Sequence, residues 1–144
     1  MTEPIGVGLS ATPAPSADGA MLRDFSRETL VVLRRDVRGY GVQHGLSGLA
    51  LYRFVVAVNE LTTNAVRHAG GAGRLELRRV GDLLRCRVTD TGPGMPPGRR
   101  HIDALPAPDA VNGRGLWLAR RNAHSVDIDS GPAGTTVTLT IRLR

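Results

Sequence analysis

The sequence predicts an α+β fold, a two-layer α/β sandwich with helices packed on one face of a mixed, mostly antiparallel sheet. Three observations carry that expectation. Apolar residues recur at helical spacing in two early segments, two alternating segments joined by a tight turn follow, and a further helical segment interrupts the later alternations. With 144 residues the chain has the length of one domain and is expected to bury about 70% of its unfolded surface around a single core.

Residues 1–20 are rich in Pro, Ala, Gly and Ser, and only Ile5, Val7, Leu9 and Ala11 alternate as a short strand would. They are expected to form a tail or edge strand, with the domain proper over residues 21–144. From Met21 to Tyr40 the spacing of Leu22, Phe25, Leu33, Val37 and Tyr40 predicts a helix, with Asp18 as N-cap and Gly39 or Gly41 as stop. Ser47 is placed to cap a second helix, in which Leu51, Phe54, Val58, Leu61 and Ala65 form one apolar stripe that ends at the run from Gly70 to Gly73. Arg74 to Val80 and Leu83 to Asp90 then alternate around Gly81 and Asp82, the composition of a hairpin turn. The stretch from Thr91 to Gly115 is rich in glycine and proline without periodicity, and so long a connection in a small domain is usually functional or mobile; it reads as a lid. A third helix is expected from Leu116 to His124, a short strand from Val126 to Asp129, a turn over Gly131 to Gly134, and a last strand in which Val137, Leu139, Ile141 and Leu143 alternate with polar residues.

The formal charge is +6 and all 19 basic residues are arginine, which points to anionic partners: phosphates, nucleic acid or an acidic protein surface. Aromatic residues make up only 3%, too few to build stacking platforms, so nucleic acid is the weakest of these. Cys86 has no second cysteine to pair with and is expected to be a small inward hydrophobe. No apolar run reaches the ~20 residues that cross a bilayer, and the N-terminus lacks a signal-peptide pattern; a cytoplasmic protein without membrane contact is expected.

Several residues could carry chemistry. Glu60 and Asn64 are four apart, hence on one helix face, with Arg67 and His68 a turn further on. A carboxylate, an amide oxygen and a guanidinium beside a core-facing stripe supply a base, a hard metal ligand and a phosphate donor, although the same residues would also suit a solvated face. Asp90 continues the inward alternation of Leu84, Cys86 and Val88, and an inward carboxylate needs a donor, for which the amino group of adenine is one candidate. Gly92 and Gly94 permit close approach of a flat ring, or simply make a turn. Asn112-Gly113-Arg114-Gly115-Leu116 opens the third helix, where free N–H groups favour phosphate; a flexible linker has the same composition. Thr135 shares the inward parity of Val137 and Leu139, and could serve a base, a fixed water or the strand alone. His68 and His124 stand at helix ends without ligand spacing, and Trp117 suits packing or a partner contact.

The order Glu60-Leu61-Thr62-Thr63-Asn64-Ala65, Asp90-Thr91-Gly92-Pro93-Gly94, Gly113-Arg114-Gly115-Leu116 and Gly134-Thr135-Thr136 resembles the GHKL-superfamily ATP-binding domain of DNA gyrase, heat-shock chaperones, histidine kinases and mismatch-repair ATPases, over residues 20–143. In its small single-domain form it looks most like the bacterial anti-sigma-factor serine kinases. The resemblance implies a histidine-kinase-like ATPase fold with ATP and Mg2+ as cofactors. Asn64 would hold Mg2+, Asp90 and Thr135 would read adenine, Gly92 and Gly94 would make room for the base, and Gly113, Arg114, Gly115 and Leu116 would cradle phosphate. Glu60 would be the base for a serine hydroxyl, and Arg67 and His68 phosphate or ribose contacts. The implied partners are a sigma factor, an anti-sigma-factor antagonist protein, or both; a homodimer is an open alternative that the sequence does not decide. Two features depart from that branch: its opening strand would here be short and followed by an Ala/Pro-rich stretch, and no lysine exists to contact phosphate, so arginines must. The alternative function is a nucleotide-gated protein-binding module without significant kinase activity.

Overall fold

The computed structural model describes residues 19–68, 71–92 and 114–143. In chain order they form β1 (Met21–Ser26), a single 3-10 turn (Arg27–Thr29), α1 (Leu30–Gln43), α2 (Gly48–His68), β2 (Ala72–Val80), β3 (Leu83–Asp90), α3 (Arg114–Asn122), β4 (Ser125–Gly131) and β5 (Gly134–Arg142). The strands make one five-stranded sheet in the order β1-β2-β3-β5-β4. Every pairing is antiparallel, so the sheet expected to be mixed is uniform.

The helix expected over Met21 to Tyr40 is corrected by this arrangement. Its first third is β1, which pairs with β2 from Met21↔Leu77 to Ser26↔Ala72, and only the later part is helical. Six residues are too few for periodicity to separate strand from helix, and the open edge of β2 offered backbone partners that a helix would have left unsatisfied. The switch comes at Ser26, whose N–H donates to Thr29 Oγ1 at 2.9 Å, tying off the chain as α1 begins. Both the proposed cap Asp18 and the alternation from Ile5 to Ala11 lie outside the described residues. The hairpin turn is as expected: Gly81 adopts φ +64, which a two-residue connection between strands of right-handed twist requires, and Val80 pairs with Leu83. The remaining boundaries move by a few residues, with α3 starting at Arg114 and β4 running to Gly131.

Leu33, Val37 and Tyr40 of α1 and Leu51, Phe54, Val58, Leu61 and Ala65 of α2 are buried, as their three- and four-residue spacing demands. They pack on the sheet face that carries Leu75, Leu77, Leu84, Cys86, Val88, Val137, Leu139 and Ile141, forming one core. α2 lies across β2 and β3 and also against α3. Cys86 is fully buried there, and desolvation, followed by the charge of Glu76, pushes its thiol well above the ordinary range, leaving it an inert hydrophobe. Among the described residues no helix is long and apolar enough to cross a membrane.

Candidate functional site

Two groups of polar residues interrupt the core-facing surfaces. The first lies on α2. Leu61 and Ala65 belong to the core, and Asn64 between them is also buried, at 9% exposure, yet its amide makes no hydrogen bond to another described residue. An amide oxygen is a hard ligand, and Asn64 holds one on the otherwise apolar side of α2. Glu60, one turn earlier, is half-buried; desolvation raises its carboxyl pKa, while the positive charges of Arg67 and then Arg34 partly offset that rise. Arg34 comes from α1, and its Nε donates to Asn59 Oδ1, which anchors the guanidinium across the two helices beside Glu60.

The second group closes the end of the β3–β5 pairing. Asp90 stands opposite Thr135 in the register and shares the inward side with Val88 and Val137, as the alternation requires. Its Oδ1 accepts hydrogen bonds from the Gly92 N–H at 2.9 Å and the Thr135 N–H at 3.3 Å. Oδ2 makes none to a described residue. The Thr135 hydroxyl is buried and shares a hydrogen bond with Ser130 Oγ at 2.7 Å. Gly134, at φ +142, passes so near Asp90 that an added Cβ would stand 2.1 Å from its carbonyl oxygen. Sequence reading did not single out Gly134, Ser130 or Arg34 as site residues. Glycine at a strand start signals only a turn, and the roles of the other two appear only when β4 meets β5 and α1 meets α2.

The structure thus gathers Asp90, Gly92, Gly134 and Thr135 at one sheet end and Glu60, Asn64 and Arg67 along α2, the helix laid over the same sheet face. Arg67 is exposed at the C-terminal end of α2, and the side chain of His68 is not described. Arg114, Gly115 and Leu116 form the first turn of α3, whereas Gly94, Gly113 and most of the lid segment lie outside the described residues. His124 is exposed and lies beside Arg142, and Trp117 packs under Arg121, whose guanidinium stands 5.4 Å from the ring centre. Among the described residues no group of three or more His, Cys, Asp or Glu gathers to hold a metal ion. A hollow between α1 and α2, lined by Leu33, Val37, Val55 and Val58 together with Arg34, Asn59 and Thr62, includes neither Asn64 nor Asp90.

A family model described as a histidine kinase-like ATPase domain matches residues 25–141. No curated protein sequence matches the chain. Among solved structures, the RsbU and RsbW domains of Rv1364c from Mycobacterium tuberculosis are similar over 84% of this chain and 32% of that one, with 21% identity and a TM-score of 0.59. The histidine kinase domain of the Erythrobacter litoralis EL346 blue-light activated histidine kinase is 21% identical over 81% of this chain and 64% of its own, with a TM-score of 0.53. Full-length ShkA in complex with AMPPNP is 18% identical over 91% of this chain and 32% of its own, with a TM-score of 0.55. This chain therefore spans less than two thirds of each of the three, and at such identities the likeness is one of fold.

Proposed function

The chain belongs to the histidine kinase-like ATPase domain family, and from that premise we propose that it is an ATP-binding regulatory protein of the anti-sigma-factor type, transferring the ATP γ-phosphate to a serine of an antagonist protein. The observation that carries the proposal is Glu60 one turn ahead of the buried Asn64, on the helix that covers the inward face where Asp90 stands. The fold likeness to a structure containing an RsbW domain and the order of the motifs support the same reading.

In this reading Asp90 accepts from the adenine amino group through Oδ2 while its backbone donors hold Oδ1 in place, and Thr135 lines the base pocket. Gly92 and Gly94 keep the wall beside the base clear. Gly113, Arg114, Gly115 and Leu116 bring the N–H groups at the start of α3 to the phosphates, with Arg67 and His68 contributing from α2. Asn64 fits magnesium as the one protein oxygen that such an ion needs beside phosphates and water; when bound, the ion neutralises developing charge on the phosphoryl oxygens. Glu60 takes the proton of the serine hydroxyl as that oxygen bonds to the γ-phosphorus and the bridging bond to ADP breaks. Its raised pKa makes it a stronger base than an exposed glutamate.

The test is incubation with labelled ATP and a serine-bearing antagonist. Phosphoserine should form, and Glu60→Gln should abolish transfer with nucleotide affinity nearly unchanged. Normal transfer by that variant rejects Glu60 as the base, and absence of phosphoserine with a partner affinity that still differs between ATP and ADP assigns the protein to nucleotide-gated binding instead.

A further inference from the structure

The sheet face turned away from the helices carries a patterned set of charges. Strand parity places Arg74, Glu76 and Arg78 of β2 and Arg85 and Arg87 of β3 on this side, beside Thr136, Thr138 and Thr140 of β5. The register aligns Glu76 with Arg87 and Arg78 with Arg85, so a strip two strands wide holds three arginines around one carboxylate, while Arg74 is paired with Asp24 at 3.0 Å. Glu76 Oε2 accepts from Arg78 Nη2 at 2.7 Å and Nε at 3.2 Å, which commits that oxygen. Arg85 Nη2 and Arg87 Nη1 stand 4.0 and 3.7 Å from Oε1, within Coulombic reach and beyond hydrogen-bond distance. Neither guanidinium donates a hydrogen bond to another described residue, and Arg85 Nε is buried without a partner. Both are partly withdrawn from water, at 28% and 42% side-chain exposure, so their unused donors are not those of freely solvated surface arginines.

We infer that this strip is a docking surface for an extended acidic protein segment, which lies along β2 and β3 and places carboxylates on Arg85 and Arg87. Alternate residues of a strand repeat at about 7 Å, the same interval that separates the two arginines along β3, so side chains on one edge of an extended peptide meet both. Arginine forks bind carboxylates in bidentate fashion, and the neighbouring Thr138 and Thr140 hydroxyls add neutral polar contacts. The flanks select against a broader polyanion. Asp127 and Asp129 of β4 lie on one side of the strip, and Asp24 of β1, paired with Arg74, on the other, all on the same face. A nucleic-acid duplex spanning the sheet would meet those carboxylates, and among the described residues no aromatic side chain occurs on this face for a single strand to stack on. The surface is opposite the side that carries Asn64, Glu60 and Asp90, and the inference does not rest on the kinase reading.

Fluorescence anisotropy with a labelled peptide alternating glutamate and threonine tests this on the full chain. The peptide should bind, its glutamine counterpart should not, and the double variant R85A/R87A should weaken binding about tenfold, the sum of two modest ion pairs. Mg·ATP affinity should be unchanged. An amide-resolved NMR titration of the unaltered protein gives the same answer without a variant: shifts should concentrate at Arg85, Arg87, Thr138 and Thr140, not on α1 or α2. Equal binding of the glutamine peptide, tighter binding of a DNA duplex, shifts confined to the helices, or a dimer in sedimentation that R85E/R87E dissolves would each overturn it.

Discussion

Asp90 separates a structural role from the proposed ligand-binding role within one side chain. Its Oδ1 is held by two backbone N–H groups, bonds that an asparagine oxygen would also accept. Asp90→Asn is therefore expected to keep the fold, read as an unaltered thermal melt without nucleotide, and to weaken Mg·ATP binding about 10- to 100-fold in calorimetry, the worth of a hydrogen bond to a charged group. Gly134 is the opposite case. Its positive φ and the 2.1 Å approach to the Asp90 carbonyl leave no place for a methyl group, so Gly134→Ala should destabilise the protein by about 2–4 kcal/mol in urea denaturation. Glu60 contributes a pH dependence. Burial raises its pKa in the folded state, so the native protein binds that proton more tightly than the unfolded chain, and stability falls as pH rises from the ordinary glutamate range through the raised value. Glu60→Gln should melt higher than the wild type at neutral pH, with the difference vanishing in acid.

At the scale of elements, α2 combines two tasks on adjoining faces. Phe54, Val58 and Leu61 anchor it in the core, and Phe54 is fully buried, so Phe54→Ala should cost about 3–5 kcal/mol through lost transfer energy and a cavity. The neighbouring face carries Glu60 and Asn64, and α1 reaches it through Arg34. Removing that cation with Arg34→Gln should push the Glu60 pKa further up, which on the proposed function moves the acid limb of the pH profile for phosphoserine formation to higher pH and leaves nucleotide affinity in place. The second helix, the hairpin and the final strand were legible because each has many repeats of a single period. β1 was not, because a six-residue segment with apolar positions at Met21, Leu22 and Phe25 fits either period, and the open edge of β2 decided the matter.

Across the described residues, one sheet presents two chemically different faces: an apolar one under the helices, with the candidate nucleotide site at its end, and a charged one turned away from them. Ligand binding to the native state alone should stabilise all of it, by about 2.7 kcal/mol when nucleotide exceeds its dissociation constant a hundredfold. A rise in melting temperature with Mg·ATP that is reduced by a chelator would check both the site and the metal. The inward parity of Asp90 and Thr135 and the shared helix face of Glu60 and Asn64 could be read directly from residue spacing, since strand and helix periods are properties of the backbone. Linear spacing does not encode which strand ends meet or which helix crosses another. Hence the Asp90 to Thr135 N–H bond, the need for glycine at position 134, the Arg34 anchor and the cluster of arginines around Glu76 arise only when β5 pairs with β3, α1 packs on α2 and β2 pairs with β3. These are contacts between distant parts of the chain, set by the burial of one shared core.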